Sequence, residues 1–226
     1  MIPDSLYADT HSDVLWKATG QHLSPPEGDL AALARKYKLN LTGLQHLAQH
    51  PHQPEGVALP AGLHRIHLPY LDFSVNVWLY QHGSEIILID AGAEAPPIID
   101  ACSRMGLTPT QLLLTHDHPD HSGGLSGLCA HYRLRVTTTQ RGITILDTGG
   151  HCRQHHSYYL ADHGLCFCGD ALFAGSMGKA NVGYDLSLKS LHTLLDLPAH
   201  TLLLPGHGPA TTVGVERERN CFYKKA

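Results

Sequence analysis

An α/β fold of packed layers, preceded by a short helical segment, is the class the sequence predicts. Three observations carry that expectation. After about residue 60, strand-like runs alternate with runs of helical spacing. The strand-like runs end on polar loops, several of them bearing His or Asp. Before that point the periodicity is helical, and the run 50–62 carries Pro51, Pro54, Pro60, Gly56 and Gly62, a linker by composition. Residues 1–60 are therefore read as a helical N-terminal segment with its linker, and 61–226 as the α/β domain.

Asp29 can cap a first helix containing Leu30, Leu33 and Ala34, and Leu41, Leu44, Leu47 and Ala48 keep helical spacing in a second. The stretch 30–49 resembles the helix-turn-helix of Cro-type repressors, with Lys38 where that family has a turn glycine and Tyr37 where it has a small residue. Arg35, Lys36 and Lys38 are read as a solvated face. Further on, 74–80 reads as a strand, 81–84 (Gln-His-Gly-Ser) as a turn and 85–90 as a second strand, together a hairpin. A helix over 96–105 is stopped by Gly106. An apolar strand follows at 111–115, a helix at 125–132 and a β-rich run at 136–146. Residues 157–160 and 165–168 read as a strand pair, 186–197 as an amphipathic helix and 201–204 as a strand.

A chain of 226 residues can bury a full core, and 42% hydrophobic with 16% charged residues excludes wholesale disorder. The net charge of -4 excludes a chain-wide basic field, so nucleic acid is not expected as a partner. The opening MIPDSLYADTHSD lacks a basic region followed by an apolar run, and no apolar stretch approaches ~18 residues. Neither a secretory signal nor a membrane span is expected, and a cytoplasmic location with reduced thiols follows for the six cysteines. Cys152 reads as a small strand residue, with a reactive thiol as the alternative. Oligomeric state is left open.

The chemistry concentrates in His116-Asp117-His118-Pro119-Asp120-His121-Ser122-Gly123-Gly124, directly after a strand. Three histidines and two aspartates within six residues offer the nitrogen and oxygen donors that zinc or a similar borderline metal takes. Pro119 and the glycines are expected to permit a tight, non-helical path. Three later residues complete the set: His151 in Gly149-Gly150-His151, Asp170 in Cys168-Gly169-Asp170, and His207 in Pro205-Gly206-His207-Gly208.

These four segments resemble the metallo-β-lactamase superfamily over roughly residues 64–220. GDALFAGSMGKANVG and LLLPGHGPATTVGVERERN are similar to its glyoxalase II-related, hydroxyacylglutathione hydrolase-like branch. The resemblance implies a four-layer αβ/βα sandwich with two divalent metal ions at one rim, zinc first, iron or manganese otherwise. It implies His116, His118 and His151 on one ion, Asp120, His121 and His207 on the other, and Asp170 between them. Asp90, in Asp90-Ala91-Gly92, would stand behind the ligands and orient a histidine. Lys179 stands where many relatives have Arg, and Cys152-Arg153-Gln154-His155-His156-Ser157 departs from the usual run after the third histidine. The chain ends before the helical C-terminal domain of long glyoxalase II enzymes.

The activity implied is hydrolysis of a small thioester or ester by a hydroxide shared between the two ions, with Asp120 helping to orient it. A thiolate leaving group has a pKa near ~8.5 and needs no strong general acid. An amide or phosphodiester would want a proton donor, for which His155 and His156 are candidates; an exposed turn pair is the favoured reading of both. Lys179, Tyr184 and Arg153 are the candidate contacts to a small-molecule substrate. Two alternatives remain: a persulfide dioxygenase with one iron on His116, His151 and Asp170, and a metal-sensing regulator that binds DNA through the N-terminal helices.

Overall fold

The structure is a computed structural model, described over residues 30–36, 38–49, 57–71, 73–137 and 142–224. Asp29, residues 50–56 of the expected linker and residues 138–141 of the expected β-rich run lie outside the described residues.

Two sheets form the centre. The first holds β1 (Leu63–Tyr70), β2 (Phe73–His82), β3 (Glu85–Ile89) and β4 (Gln111–Leu113), in that spatial order. The second holds β5 (Thr144–Asp147), β6 (His156–Leu160), β7 (Leu165–Gly169), β8 (Leu202–Pro205) and β9 (Thr211–Thr212), again in order. In each sheet the strands pair antiparallel except one parallel pair, β3 with β4 and β7 with β8. The helices are α1 (Leu30–Lys36), α2 (Leu41–Gln49), α3 (Ala95–Met105), α4 (Pro119–Ser122), α5 (Leu125–Tyr132), α6 (Tyr184–Leu195) and α7 (Val213–Arg219).

Alternation along the strands builds the layers, because successive side chains leave opposite faces of a sheet. Trp78, Tyr80, Ile87 and Ile89 point from the first sheet into a cluster shared with Tyr158, Leu165, Phe167 and Leu204 of the second. Their neighbours Val77, Leu79 and Leu88 point outward, against Ile98 and Cys102 of α3 and Leu128 of α5. On the far side, Cys166, Cys168 and Leu203 meet Leu191, Leu194 and Leu195 of α6 and Val213 of α7. The result is a four-layer αβ/βα sandwich, the fold class the sequence predicts.

The N-terminal pair α1 and α2 shares this last core: Ala34, Leu39 and Leu44 lie in the same cluster as Met177, Leu172 and Cys221. Asn40 N–H donates to Cys221 O at 2.8 Å, and a Cβ at Gly43 would sit 2.5 Å from Arg219 O, so only glycine permits α2 to approach so closely. The face of α2 bearing Gly43 and Leu44 is thus packed against the domain.

The segment before β2, which carried no strand expectation, forms β1. The helix expected at 186–197 spans Tyr184–Leu195, and the strand expected within 136–146 is β5 plus an isolated bridge at Val136. Among the described residues no helix is long and apolar enough to cross a membrane.

Leu44 is 1% exposed. Leu44→Ala is expected to cost about 2–5 kcal/mol of the stability of the whole domain, read as a shifted denaturant midpoint at constant slope. Leu71→Ala, at a residue 78% exposed, is expected to stay within about 0.5 kcal/mol. A Leu44→Ala cost below that figure would mean that the helix pair folds apart from the sandwich.

Candidate metal centre

The parallel pairs place the C-terminal ends of β3, β4, β7 and β8 at one rim, and the loops leaving them carry the polar residues. Asp90 follows β3, His116 follows β4, Asp170 follows β7 and His207 follows β8. His118, Asp120 and His121 come from the loop and helical turn beyond His116, and His151 from the turn between β5 and β6.

The path through Pro119–Ser122 is helical, contrary to the non-helical expectation. Proline is well suited to a first helical turn, where its missing N–H has no partner to lose. Gly123 has a helical φ of -60°, so it is not there for backbone freedom. A Cβ on it would run into Ala93 O and Pro119 O, which makes close approach the reason for glycine.

All seven candidate ligands converge. His118 Nδ1 lies 2.9 Å from His151 Nε2 and 3.2 Å from His116 Nε2. His207 Nε2 lies 3.3 Å from His121 Nε2 and 3.4 Å from Asp120 Oδ2. Asp170 stands between the groups: Oδ2 is 3.5 Å from His151 Nε2 and 3.3 Å from His207 Nε2, and Oδ1 is 3.3 Å from His121 Nε2. Three sets, His116/His118/His151, His116/His121/Asp170 and Asp120/His121/His207, each bring their donor atoms within 4.8 Å of one another.

The outward nitrogens decide what faces inward. His151 Nδ1 donates to Lys179 O at 3.0 Å, and His207 Nδ1 to Ser74 O at 2.6 Å. His121 Nδ1 donates to Asp90 Oδ2 at 2.8 Å. The Thr115 hydroxyl donates to Asp90 at 2.9 Å and accepts from His116 Nδ1 at 3.0 Å. A neutral imidazole whose outer nitrogen carries the proton presents a lone pair on the other. Four Nε2 lone pairs therefore point into one small volume. Asp170 Oδ1, buried there, has no hydrogen-bond partner. Converging lone pairs and an orphaned carboxylate oxygen fit metal ions, with the nitrogen and oxygen donor set of zinc or iron.

Asp90 organises this from behind. It takes a left-handed φ of 66°, which Asp tolerates better than most residues, and it accepts the Thr115 N–H at 2.7 Å besides the bonds above.

The site's electrostatics favour protons on two histidines when no cation is present. For His207, burial opposes charge, but the Asp170 carboxylate and the bonds to Asp120 and Asp170 outweigh it and push the pKa up to about 9. For His121, burial is likewise outweighed, by Asp170 and Asp90, and the pKa rises well above the usual range. Asp170 is held well below the carboxylate range: His207 and His121 overcome the effect of burial. His116 is pushed down by burial and by His121. His151 is lowered by burial, which Asp170 only partly offsets.

Other sequence expectations fare differently. Lys179 is exposed beside His151, and Arg153 is exposed on the turn after it. Tyr184 begins α6 half-buried, its ring 6.4 Å from that of Phe222 and packed against the apolar cluster. Cys152 lies in a turn rather than a strand; its thiol donates to Gln154 O, and burial with nearby Asp117 and Asp170 pushes its pKa up to about 12, so it holds no reactive thiolate at neutral pH. His155 and His156 are not an exposed turn pair. His155 is fully buried and His156 opens β6 half-buried. Several roles carried no sequence signal: Ser74 and Lys179 accept from ligand histidines through backbone carbonyls, and Asn181 Nδ2 holds His151 O at 3.1 Å.

Comparison with known proteins agrees with this geometry. The family described as the Metallo-beta-lactamase superfamily matches residues 70–140 and 136–207. A probable metallo-hydrolase, YqgX of Bacillus subtilis, is 30% identical over 200 residues, covering 69% of this chain and 95% of that protein. A hydroxyacylglutathione hydrolase of Haemophilus ducreyi is 30% identical over 155 residues, which is 58% of this chain and 64% of the hydrolase, so the match spans under two thirds of that relative. Among solved structures, TTHA1623 in a di-iron-bound form aligns at a TM-score of 0.64 with 28% identity, covering 70% of this chain and 98% of that one. The BLEG-1 B3 metallo-beta-lactamase aligns at 0.65 with 25% identity, covering 72% and 100%. Fold, converging His and Asp side chains and the matched stretch of sequence together place the chain in the metallo-β-lactamase superfamily.

Proposed function

We propose that this chain is a metal-dependent hydrolase of small thioesters or esters, in the manner of hydroxyacylglutathione hydrolases. The observation that carries the reading is the convergence of seven ligand-type side chains in two clusters joined by one buried carboxylate. His116, His118 and His151 would hold one divalent ion, Asp120, His121 and His207 the other, and Asp170 both. Zinc fits the donor set best; the di-iron form of TTHA1623 keeps iron open, and manganese stays with it. When bound, two such ions supply a nucleophile at neutral pH by lowering the pKa of water to about 7, and they polarise the carbonyl under attack.

The chain's own residues complete the reaction. Asp120, buried beside His207, accepts a hydrogen bond from the attacking water and sets its direction. Lys179 and Arg153, exposed next to His151, offer positive charge to a substrate carboxylate. The ring of His155 offers no free proton to a leaving group: one nitrogen accepts from Asp170 N–H and the proton on the other is committed to Thr148. That supports a thioester, whose thiolate departs without a strong general acid. The stretch GDALFAGSMGKANVG, similar to the hydrolase branch, supports the dinuclear hydrolase over a dioxygenase with a single iron. Six free cysteines fit a reducing compartment, and a cytoplasmic location belongs to the same proposal.

Metal binding should release protons. With His207 at about 9 in the metal-free protein, and His121 raised as well, ligation at pH 7 displaces protons already present. Affinity for zinc is therefore expected to fall as pH falls. Calorimetry in buffers of different ionisation enthalpy should show at least one proton released per protein at pH 7; zero release would contradict the ligand assignment.

Metal-loaded protein is expected to hydrolyse S-lactoylglutathione or a smaller carboxylated thioester. Asp120→Asn should lower kcat at least roughly 10-fold, and Lys179→Ala should raise KM with kcat little changed. Oxygen uptake with glutathione persulfide by protein carrying one iron, with no thioester hydrolysed, would overturn the hydrolase reading.

A further inference from the structure

The proposed reaction leaves one buried polar group beside the centre without a role. His155 is 0% exposed, and its ring lies 5.0 Å from that of His116 at an interplanar angle of 32°. Its Nε2 is 3.1 Å from the backbone nitrogen of Asp170, and its Nδ1 is 2.8 Å from Thr148 Oγ1. We propose that His155 is a positioning residue which, by accepting the Asp170 N–H, fixes that carboxylate between the two ligand clusters; the inference rests on the metal-centre reading above.

The donor and acceptor roles follow from the partners. A backbone N–H can only donate, so His155 Nε2 is the acceptor and the ring proton sits on Nδ1. Nδ1–H then donates to Thr148 Oγ1, which donates in turn to Ser157 Oγ at 2.7 Å. Thr148 N–H also donates to His155 O at 3.0 Å, closing the unit on itself. Every member is buried. A buried network with all members satisfied holds one geometry, because any other leaves a polar atom unpaired.

Asp170 needs such a partner for a reason visible in the sheet. The pairing of β7 with β8 shifts register between Phe167 and Gly169, so the regular ladder stops just before Asp170. Gly169 takes a left-handed φ of 46° there, turning the chain toward the rim. A Cβ on Gly169 would lie 2.8 Å from His155 Nε2 and 2.8 Å from Thr115 Cβ. The imidazole thus lies against the bare backbone at the strand end and meets the N–H that the ladder no longer serves. A buried N–H left without an acceptor is strongly disfavoured.

The neighbouring residue gives the arrangement its reach. His156 N–H donates to Thr115 O at 2.9 Å, immediately before the first ligand His116. The dipeptide His155-His156 therefore grips both strand ends, one through Thr115 and the other through Asp170. It sets the distance between ligands borne by the first sheet and the carboxylate borne by the second.

The test compares four proteins. In Gln the side-chain amide oxygen is as many bonds from Cα as Nε2 is in His, so His155→Gln can still accept from Asp170. In His155→Asn the amide is one bond shorter and reaches only toward Thr148, and His155→Leu reaches neither. Each is titrated with Co²⁺ alone and followed by visible absorption, and the Asp170 amide is observed by NMR in the metal-free protein. Wild type and His155→Gln should take up two ions with similar affinity. In His155→Leu and His155→Asn the second ion should bind roughly 10–100-fold more weakly, with the Asp170 amide resonance displaced. If the Leu variant does not fold, the Gln and Asn pair still decides, since only Asn should weaken binding. Unchanged second-ion affinity in the Leu or Asn variant, or equal weakening in Gln and Asn that follows thermal stability alone, would overturn the positioning role while leaving the metal reading intact. Wild-type protein that takes up no cobalt would instead contradict the metal reading itself.

Discussion

Lone pairs cannot face lone pairs at about 3 Å in a buried pocket unless a cation lies among them. The rim of this sandwich gathers imidazole nitrogens and carboxylates at such spacing, with the outer nitrogens of His116, His121, His151 and His207 each committed to another partner. Protons can supply the positive charge, and the raised pKa values of His121 and His207 describe that state. Metal ions can supply more of it, and can use Asp170 Oδ1, which has only His121 Nε2 near it, at 3.3 Å. The surrounding polar structure serves to hold these groups in place against their mutual repulsion.

Strand alternation and parallel pairing do the holding. Trp78 and Phe167 fill the space between the sheets, while Val77, Leu88 and Cys166 bind each sheet to its helices. The same strands end at one rim, so ligands from distant parts of the sequence meet there without any loop having to reach far. Trp78 serves both purposes, since its indole N–H also donates to Pro205 O at 3.0 Å, two residues before His207. Asn76 adds bonds to Pro205 O at 3.0 Å and Gly208 O at 2.8 Å from the same strand. Core packing and ligand placement are thus one construction.

Much of this was legible in the sequence. The β-rich composition of 74–80 and 85–90 and the turn between them give β2 and β3, and the clustered His and Asp after 111–115 mark the rim. What was hidden follows a physical pattern. β1 mixes charged, polar and apolar residues with a proline, and its strand character comes from pairing along β2 rather than from its own composition. The helical turn at Pro119 was masked by residues whose local preference is for loops. The packing of Tyr184 against the apolar cluster, and the burial of Leu39 and Leu44 against the C-terminal segment, depend on contacts between chain ends far apart in sequence. Backbone acceptors such as Ser74 O and Lys179 O leave no mark on residue identity at all. His155 was visible as a histidine near a ligand, but its burial and its bond to Asp170 needed the register shift in β7, which only the folded sheet displays.

In the proposed centre two ions would share Asp170 at this rim. Anomalous diffraction from crystals of zinc-loaded protein tests it most directly. Two peaks about 3.5–4 Å apart are expected, one against His116, His118 and His151, the other against Asp120, His121 and His207, with the Asp170 carboxylate touching both. A single peak that leaves Asp120, His121 and His207 without metal, or peaks held by other residues, would contradict it.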